Sequence, residues 1–387
     1  TSLDPTSKEG SERFERLLST LHFQGSTGGG SFSNYATIGD ALGWNGFKCT
    51  NRSTVAALRQ FLSSRLRYLS CGGCQEATSG EVSSGGWGPS PIRCFIKWEP
   101  HKSAKVRDSR FRLIMVMSLE DQMVDRWLFS DWTQAELDDV MSVMSKAGWS
   151  PLPEGFRDFR DTFRGKVITT DCSSFDWTFP SWVVEELLEI RLEQCRNFDS
   201  AYEFAVRARF EEVLGTDCLI RLPNGDLFQQ CRLGLMKSGW YRTIAENSAA
   251  QGLITALAWL RSGFDQDLPV LWAMGDDVVM SWPYGQPEAE KFSAALGTTG
   301  VINKHWSFRR EFAGFEFGEK TVTPLYPAKH QFMLNRADPD LLRDLGIAFD
   351  LLYALARDEV KVKIQPFLNR FSPLMRSYAR AWAFGMV

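Results

Sequence analysis

Two adjacent acids, Asp276 and Asp277, follow Gly275 between apolar, strand-like runs in WAMGDDVVMSW, residues 272–282. Carboxylates held together at a hairpin tip repel one another unless a cation neutralises them. Asp171 closes a second β-rich run, GKVITTD (165–171). If adjacent strand ends bring Asp171 beside Asp276, the pair suits Mg²⁺, which takes a few carboxylates together with phosphate oxygens. Two such ions roughly 4 Å apart activate an attacking hydroxyl and stabilise a leaving pyrophosphate. An aspartate-rich surface turn is the plain alternative, so the companions of this turn decide.

Asp176 stands five positions after Asp171, beyond the CSSF turn. It either caps a helix or joins the same chemistry. Thr243, Asn247 and Gln251 recur every fourth residue in an alanine- and leucine-rich segment, which puts them in one stripe along a helix. That stripe either faces solvent or meets a ligand's hydroxyls, because inward polar groups need partners. The most basic stretch, residues 93–114, carries Arg93, Lys97, Lys102, Lys105, Arg107, Arg110 and Arg112 against Glu99 and Asp108. It reads either as a lysine-protected sheet edge or as a positive wall for a polyphosphate or nucleic-acid backbone.

The elements that must position these residues are an α+β mixture. Helices are expected at 11–21, at 53–69 with Ser53 as N-cap, at 118–132 and 133–148 as two pieces, at 181–195, 199–214, 240–261 and 286–297. Strands are expected at 269–274 and 278–282, and RCFIKW and RFRLI form strands around a basic loop at 100–109. Residues 218–230 form a hairpin with Asn224-Gly225 as a two-residue turn. GVINKHW (300–306) and a second hairpin at 311–325 follow, and 340–358 reads as one amphipathic helix. Glycine/serine connectors lie at 24–34 and 78–91.

A chain of 387 residues has room for two or three lobes, and 28 Phe and 14 Trp argue against disorder. A net charge of −3 gives no global basic signature, so nucleic-acid contact must come from local clusters. Eight cysteines include one CxxC, Cys71 and Cys74, without a second pair for zinc; reduced, mostly buried thiols and a reducing compartment are expected. No apolar run is long enough to span a bilayer, and the first residue, Thr1, suggests a processed or truncated N-terminus.

DCSSFD, SGWYRTIAEN and GDD, in that order and spacing, resemble motifs A, B and C of viral RNA-dependent RNA polymerases. The upstream FIKWEPHKSAKVRDSRFRLIMVMSLEDQMVDRWLF is similar to motif F and its following helix in the sobemovirus and polerovirus polymerases. The resemblance covers residues 92–330; the first ~90 residues and the C-terminal helices match no motif. It implies a right-hand fold of fingers, palm and thumb with an antiparallel palm sheet. Fingers would occupy 1–164, palm 165–197, a fingers insertion 198–233, palm 234–325 and a small helical thumb 326–387.

The resemblance further implies that Asp171 and Asp276 are the principal ligands of Mg²⁺, or of Mn²⁺ as a substitute, with Asp277 assisting. Asp176, Ser238, Thr243 and Asn247 would sense the ribose 2′-hydroxyl, a group that both donates and accepts hydrogen bonds, and Gly239 would lend its loop mobility. Lys97, Lys105, Arg110 and Arg112 would line the nucleotide path, with Lys102, Arg107 and Lys329 on the RNA backbone. Lys304 would protonate departing pyrophosphate, with His305 its rival. Expected partners are template and nascent RNA, ribonucleoside triphosphates, other viral replication proteins and a genome-linked protein primer, although primer-independent starts fit equally. The setting implied is a replication complex in the host cytoplasm. A reverse transcriptase would place an aromatic gate at Asp176, and a scaffold lacking activity would have lost a carboxylate or Arg112, the arginine of motif F in RFRLI. A phosphatase or nuclease leaves the polar stripe unexplained.

Overall fold

The computed structural model describes residues 3–71, 88–97, 99, 101, 103–368 and 376–386. Lys102, Cys74 and most of the 78–91 connector lie outside the described residues. Helices α1 (Lys8–Leu18), α2 (Ile38–Leu42) and α3 (Arg52–Ser70) precede strands β1 (Ile92–Ile96) and β2 (Leu113–Val116), with α4 (Ser103–Arg107) between the strands. Next come α5 (Leu119–Asp138), α6 (Gly155–Thr162), β3 (Val167–Cys172), α7 (Phe175–Thr178), α8 (Ser181–Glu193) and α9 (Ser200–Leu214). A hairpin, β4 (Leu219–Arg221) and β5 (Leu227–Gln229), leads to α10 (Thr243–Arg261) and a second hairpin, β6 (Leu271–Met274) and β7 (Asp277–Ser281). After α11 (Gln286–Gly297) come β8 (Asn303–Ser307), β9 (Glu311–Phe312), β10 (Phe315–Phe317) and β11 (Val322–Pro324). Helices α12 (Pro327–Asn335), α13 (Leu342–Leu352), α14 (Asp358–Leu368) and α15 (Arg376–Ala383) complete the chain.

The chain divides into two compact units, and the fold is α+β. The first comprises Thr1–Trp98, Ser103–Asp138 and Ser174–Ala250. Its sheet runs β2-β1-β4-β5, with β1 antiparallel to β2 and parallel to β4. The second comprises Glu99–Lys102, Asp139–Ser173 and Gln251–Val387. It holds the antiparallel sheet β6-β7-β3-β8 and the smaller sheet β11-β10-β9. Residues 139–164, expected with the N-terminal part, belong to this second unit because their aromatics fill its core. Phe159 stacks on Phe317 at 4.0 Å, and Trp149 and Phe163 meet Trp272 edge-on, each at 5.2 Å. Each such side chain contributes roughly 1.5–3 kcal/mol through burial. A satellite core of Leu334, Phe349, Tyr353, Ile364 and Leu368 joins α12, α13 and α14.

Several local expectations need correction. Asn51, not Ser53, caps α3: its side chain accepts from Thr54 N, while Ser53 donates its hydroxyl to Asn51. One helix, α5, replaces the two expected over 118–148. Ser118 accepts from Asp121 N and donates to the Asp121 carboxylate. Thr133 breaks nothing, because its hydroxyl bonds back to Phe129 O and lets the helix continue. The 218–230 turn is longer than two residues. Pro223, preset for the first corner of a type I turn, shifts it, so Gly225 N bonds Leu222 O and Gly225 takes φ +94°. The second strand of the basic hairpin starts at Leu113, and the loop before it contains α4. The amphipathic run at 340–358 breaks after Leu352, because Leu355 O accepts from Val322 N and Arg357 N donates to Thr323. Of the described cysteines, Cys94, Cys172 and Cys218 are buried, whereas Cys71 and Cys231 are exposed. Among the described residues, no helix is long and apolar enough to cross a membrane.

Candidate active site

In the second unit, the pairing Met274↔Asp277 leaves Gly275-Asp276 as a two-residue tip. Gly275 sits at φ +65°, the left-handed conformation that such a turn demands at its first position. Asp277 therefore enters strand β7, directly opposite Asp171 on β3, and Asp276 alone occupies the tip. Trp272 and Val279, cross-strand partners, anchor the hairpin in the aromatic core. Gln251, only 1% exposed, reaches Asp276 O at 3.5 Å from α10. The polar stripe expected from the sequence thus turns inward at Asn247 and Gln251.

Strand β8 pairs with the other edge of β3 through an irregularity: Asp171 faces His305, but Cys172 faces Asn303. Lys304 is the extra residue, and such a bulge re-aims its side chain. Its Nζ lies 2.5 Å from Asp171 Oδ2, and that hydrogen bond, opposed by burial, raises the Lys304 pKa. Both side chains are well exposed, so the pair adds little to stability. Among the described residues, His305 has no hydrogen-bonding partner at its ring.

Burial of its carboxyl, then the charges of Asp276, Asp171 and Glu311, push Asp277 up to about 6. As a residue Asp277 is exposed, so the like charges are the cause the geometry supports. Among the described residues, no three His, Cys, Asp or Glu side chains converge tightly enough to hold a metal ion. The donor chemistry nevertheless fits a hard divalent cation: Asp171 and Asp277 face each other across neighbouring strands, Asp276 adjoins them at the tip, and Lys304 supplies the countercharge to Asp171.

In the first unit, Asn247 Nδ2 donates to Asp176 Oδ1 at 2.9 Å. Asn247 is 6% exposed, and among the described residues its buried Oδ1 has no hydrogen-bond partner. A buried acceptor left open is costly, which marks it as a place for a donor from outside the chain. Ser238 Oγ accepts from Met115 N at 3.2 Å, tying its loop to β2. Thr243 donates to the carbonyls of Lys237 and Trp240 (2.5 and 2.8 Å), so its hydroxyl holds the loop together. Gly239 permits a close approach of two backbones: a Cβ there would stand 2.1 Å from Met115 O.

Sequence reading missed the support beneath Asn247. Arg242, just ahead of α10, and Glu246, in its first turn, close a largely buried ring of ion pairs with Glu136 of α5 and Arg191 of α8. The i, i+4 spacing of Arg242 and Glu246 was the available signal; their distant partners gave none. The cations Lys105, Arg107, Arg110 and Arg112 are exposed on the β1–β2 connection, and Arg110 pairs with Asp108 at 2.5 Å. Lys97 continues the β1–β2 pairing through its backbone bond to Arg112 O. Lys329 is exposed on α12.

A family model of viral RNA-dependent RNA polymerases matches residues 89–305, more than half of the chain, and the chain belongs to that family. Its relatives include sobemovirus and polerovirus replicase proteins. It is 28% identical over 340 residues to Protein P1-P2 of potato leafroll virus, covering 81% of the chain and 30% of that protein. Against the replicase polyprotein P2AB of southern bean mosaic virus, identity is 34% over 201 residues, 50% of the chain and 20% of the polyprotein. The RNA-directed RNA polymerase of mushroom bacilliform virus is 31% identical over 256 residues, 63% of the chain and 59% of that protein. The chain thus spans less than a third of the first two relatives.

Proposed function

We propose that this chain catalyses template-directed RNA synthesis, adding ribonucleoside triphosphates to an RNA 3′-hydroxyl to replicate a positive-strand genome. The observation that carries the reading is Asp171 in register with Asp277, with Asp276 at the adjoining tip. We assign the sheet β6-β7-β3-β8 to the palm of a right-hand fold, the N-terminal elements to fingers and the C-terminal helices to a small thumb. Asp171, Asp276 and Asp277 would hold Mg²⁺ or Mn²⁺, which when bound supplies Lewis-acid activation of the hydroxyl and charge neutralisation of the pyrophosphate.

The remaining steps fall to the chain's own groups. The open Asn247 Oδ1 accepts from the ribose 2′-hydroxyl, and Asp176 fixes the amide so that this oxygen is the atom presented. Ser238, Gly239 and Thr243 shape the preceding loop. Lys97, Lys105, Arg110 and Arg112 draw in the triphosphate, and Lys102, Arg107 and Lys329 contact RNA phosphates. Lys304, protonated and close to Asp171, donates a proton to the departing pyrophosphate. A genome-linked protein primer and other replication proteins are the expected partners, in a replication complex in the host cytoplasm.

The direct test is a homopolymer RNA template, its labelled complementary ribonucleotide and Mg²⁺, with and without primer; no template-dependent incorporation overturns the proposal. Asn247→Ala is expected to erode discrimination against deoxynucleotides about 10- to 100-fold, the value of one buried hydrogen bond. Unchanged selectivity, measured as the ratio of kcat/KM values, removes the 2′-hydroxyl role. Lys304→Leu should slow single-turnover incorporation ~10²-fold; an unaffected rate assigns the proton to His305 or water.

A further inference from the structure

The N-terminal segment, which matches no polymerase motif, encloses a groove of about 980 Å³ between α1, α3 and the loop after α2. Gly43 ends α2 at φ +65°, and Trp44 and Cys49 then pair as an isolated antiparallel bridge. Asn45 Oδ1 accepts from both Phe47 N and Lys48 N, which tightens the tip of this loop. Phe47 is thereby held 92% exposed, while Trp44 stacks face to face on Phe23 at 3.8 Å with 3° between the rings. An apolar ring presented to water beside a stacked pair is a platform for another flat, aromatic surface.

The charge lining this groove is predominantly positive, although Asp4 stands near Arg67. Lys48, Arg52, Arg59 and Arg67 line the groove against one acid, Glu15, which is already bound by Arg59 at 2.6 Å. Among the described residues, Lys48 and Arg52 have no acidic partner, and both are exposed. Arg52, Arg59 and Arg67 ride one side of α3, and the first and last are about 22 Å apart at 1.5 Å per residue. One nucleotide cannot span that length; about 4 or more can, the lower end of single-strand site sizes. A duplex would not offer unstacked bases to Phe47.

We propose that this groove is a binding site for a short segment of single-stranded RNA, its bases stacking on Phe47 and its phosphates running along Lys48, Arg52 and Arg67. The site is independent of the carboxylate hairpin and of catalysis. Its chemistry is sequence-tolerant, since stacking and phosphate contact do not read base edges.

Photo-cross-linking of the full chain to a labelled octaribonucleotide bearing 4-thiouridine, followed by peptide mapping, tests the proposal apart from any incorporation assay. Cross-links are expected within residues 44–67. Lys48→Glu/Arg52→Glu should reduce their yield at least ~10-fold and lower the slope of log affinity against log salt by about 1.4, two phosphates' worth. Phe47→Ala, at a surface position where folding is not at stake, should reduce the yield ~10-fold and leave that slope unchanged. Unlabelled octamer should displace the probe. Displacement equally well by polyglutamate would make the occupant an acidic peptide, and by UMP a mononucleotide; either overturns the proposal, as does an absence of cross-links in this segment. Cross-linking here without any nucleotide incorporation would overturn the polymerase reading and leave this one standing.

Discussion

Asp276→Asn is expected to lower nucleotide incorporation at least about 10³-fold while leaving RNA binding and folding intact. The amide keeps the shape of the carboxylate but removes the charge at the hairpin tip, where a divalent cation needs an anionic oxygen. Several kcal/mol of charge stabilisation lost at the reacting phosphate corresponds to that factor. Folding should not suffer: Asp276 is exposed, the turn depends on Gly275, and the hairpin is anchored by Trp272 and Val279 below the tip. Removing one of three crowded carboxylates relieves repulsion, so the unfolding midpoint should hold or rise slightly, the usual opposition of stability and function at a site. Primer extension, RNA binding and thermal unfolding on the same preparation give the answer. Residual synthesis above about a tenth of wild type would remove Asp276 from the cation's ligands.

Where local chemistry determines an element, the sequence was readable. Helices α8 and α11 and the β-rich runs carrying Asp171 and Asp276 lie close to where periodicity and turn residues put them. The paired carboxylates were legible because two acids at a hairpin tip conflict with ordinary strand chemistry. Their register was not: a two-residue tip moves Asp277, rather than Asp276, opposite Asp171. Lys304 was legible as a lysine in a strand, but the bulge that brings it to Asp171 depends on how β8 pairs, which composition does not encode. Gly239 was read through flexibility alone, and the close approach of Met115 O, from more than a hundred residues earlier, was not legible. The aromatic groove at the N-terminus drew no notice, because Phe23, Trp44 and Phe47 meet Arg52 and Arg67 only in three dimensions. The largest illegible feature is a buried charge network whose members are scattered from residue 65 to 240.

Within the first unit, Arg209, 1% exposed, grips both oxygens of Asp125 (2.7 and 3.2 Å) and also reaches Asp121 at 3.2 Å and Glu212 at 3.0 Å. Arg65 serves Glu212 at 2.6 Å and Asp121 at 3.3 Å. Trp240 Nε1 donates to Asp125, which ties this knot to the loop containing Ser238 and Gly239. Arg209→Ala leaves three buried carboxylates facing one guanidinium, and is expected to cost about 3–5 kcal/mol, a large part of a domain's usual stability. Burial alone would raise Asp121, yet Arg209 and Arg65 outweigh it and hold its carboxyl below the ordinary range. A depressed native pKa confers stability that is complete above the unfolded value, about 3.9, and fades as pH falls through the native one. In the variant the sign reverses: unmatched buried acids bind protons more readily when folded, so lowering the pH restores part of the loss. The stability gap between wild type and Arg209→Ala should therefore be widest near pH 7 and shrink towards pH 5, measured by urea unfolding at both. A gap independent of pH would mean that lost packing, not stranded charge, accounts for the damage. Arg209→Met/Asp125→Leu, which removes one charge of each sign and refills the volume, should lose less than Arg209→Ala alone, because two matched deletions strand no carboxylate.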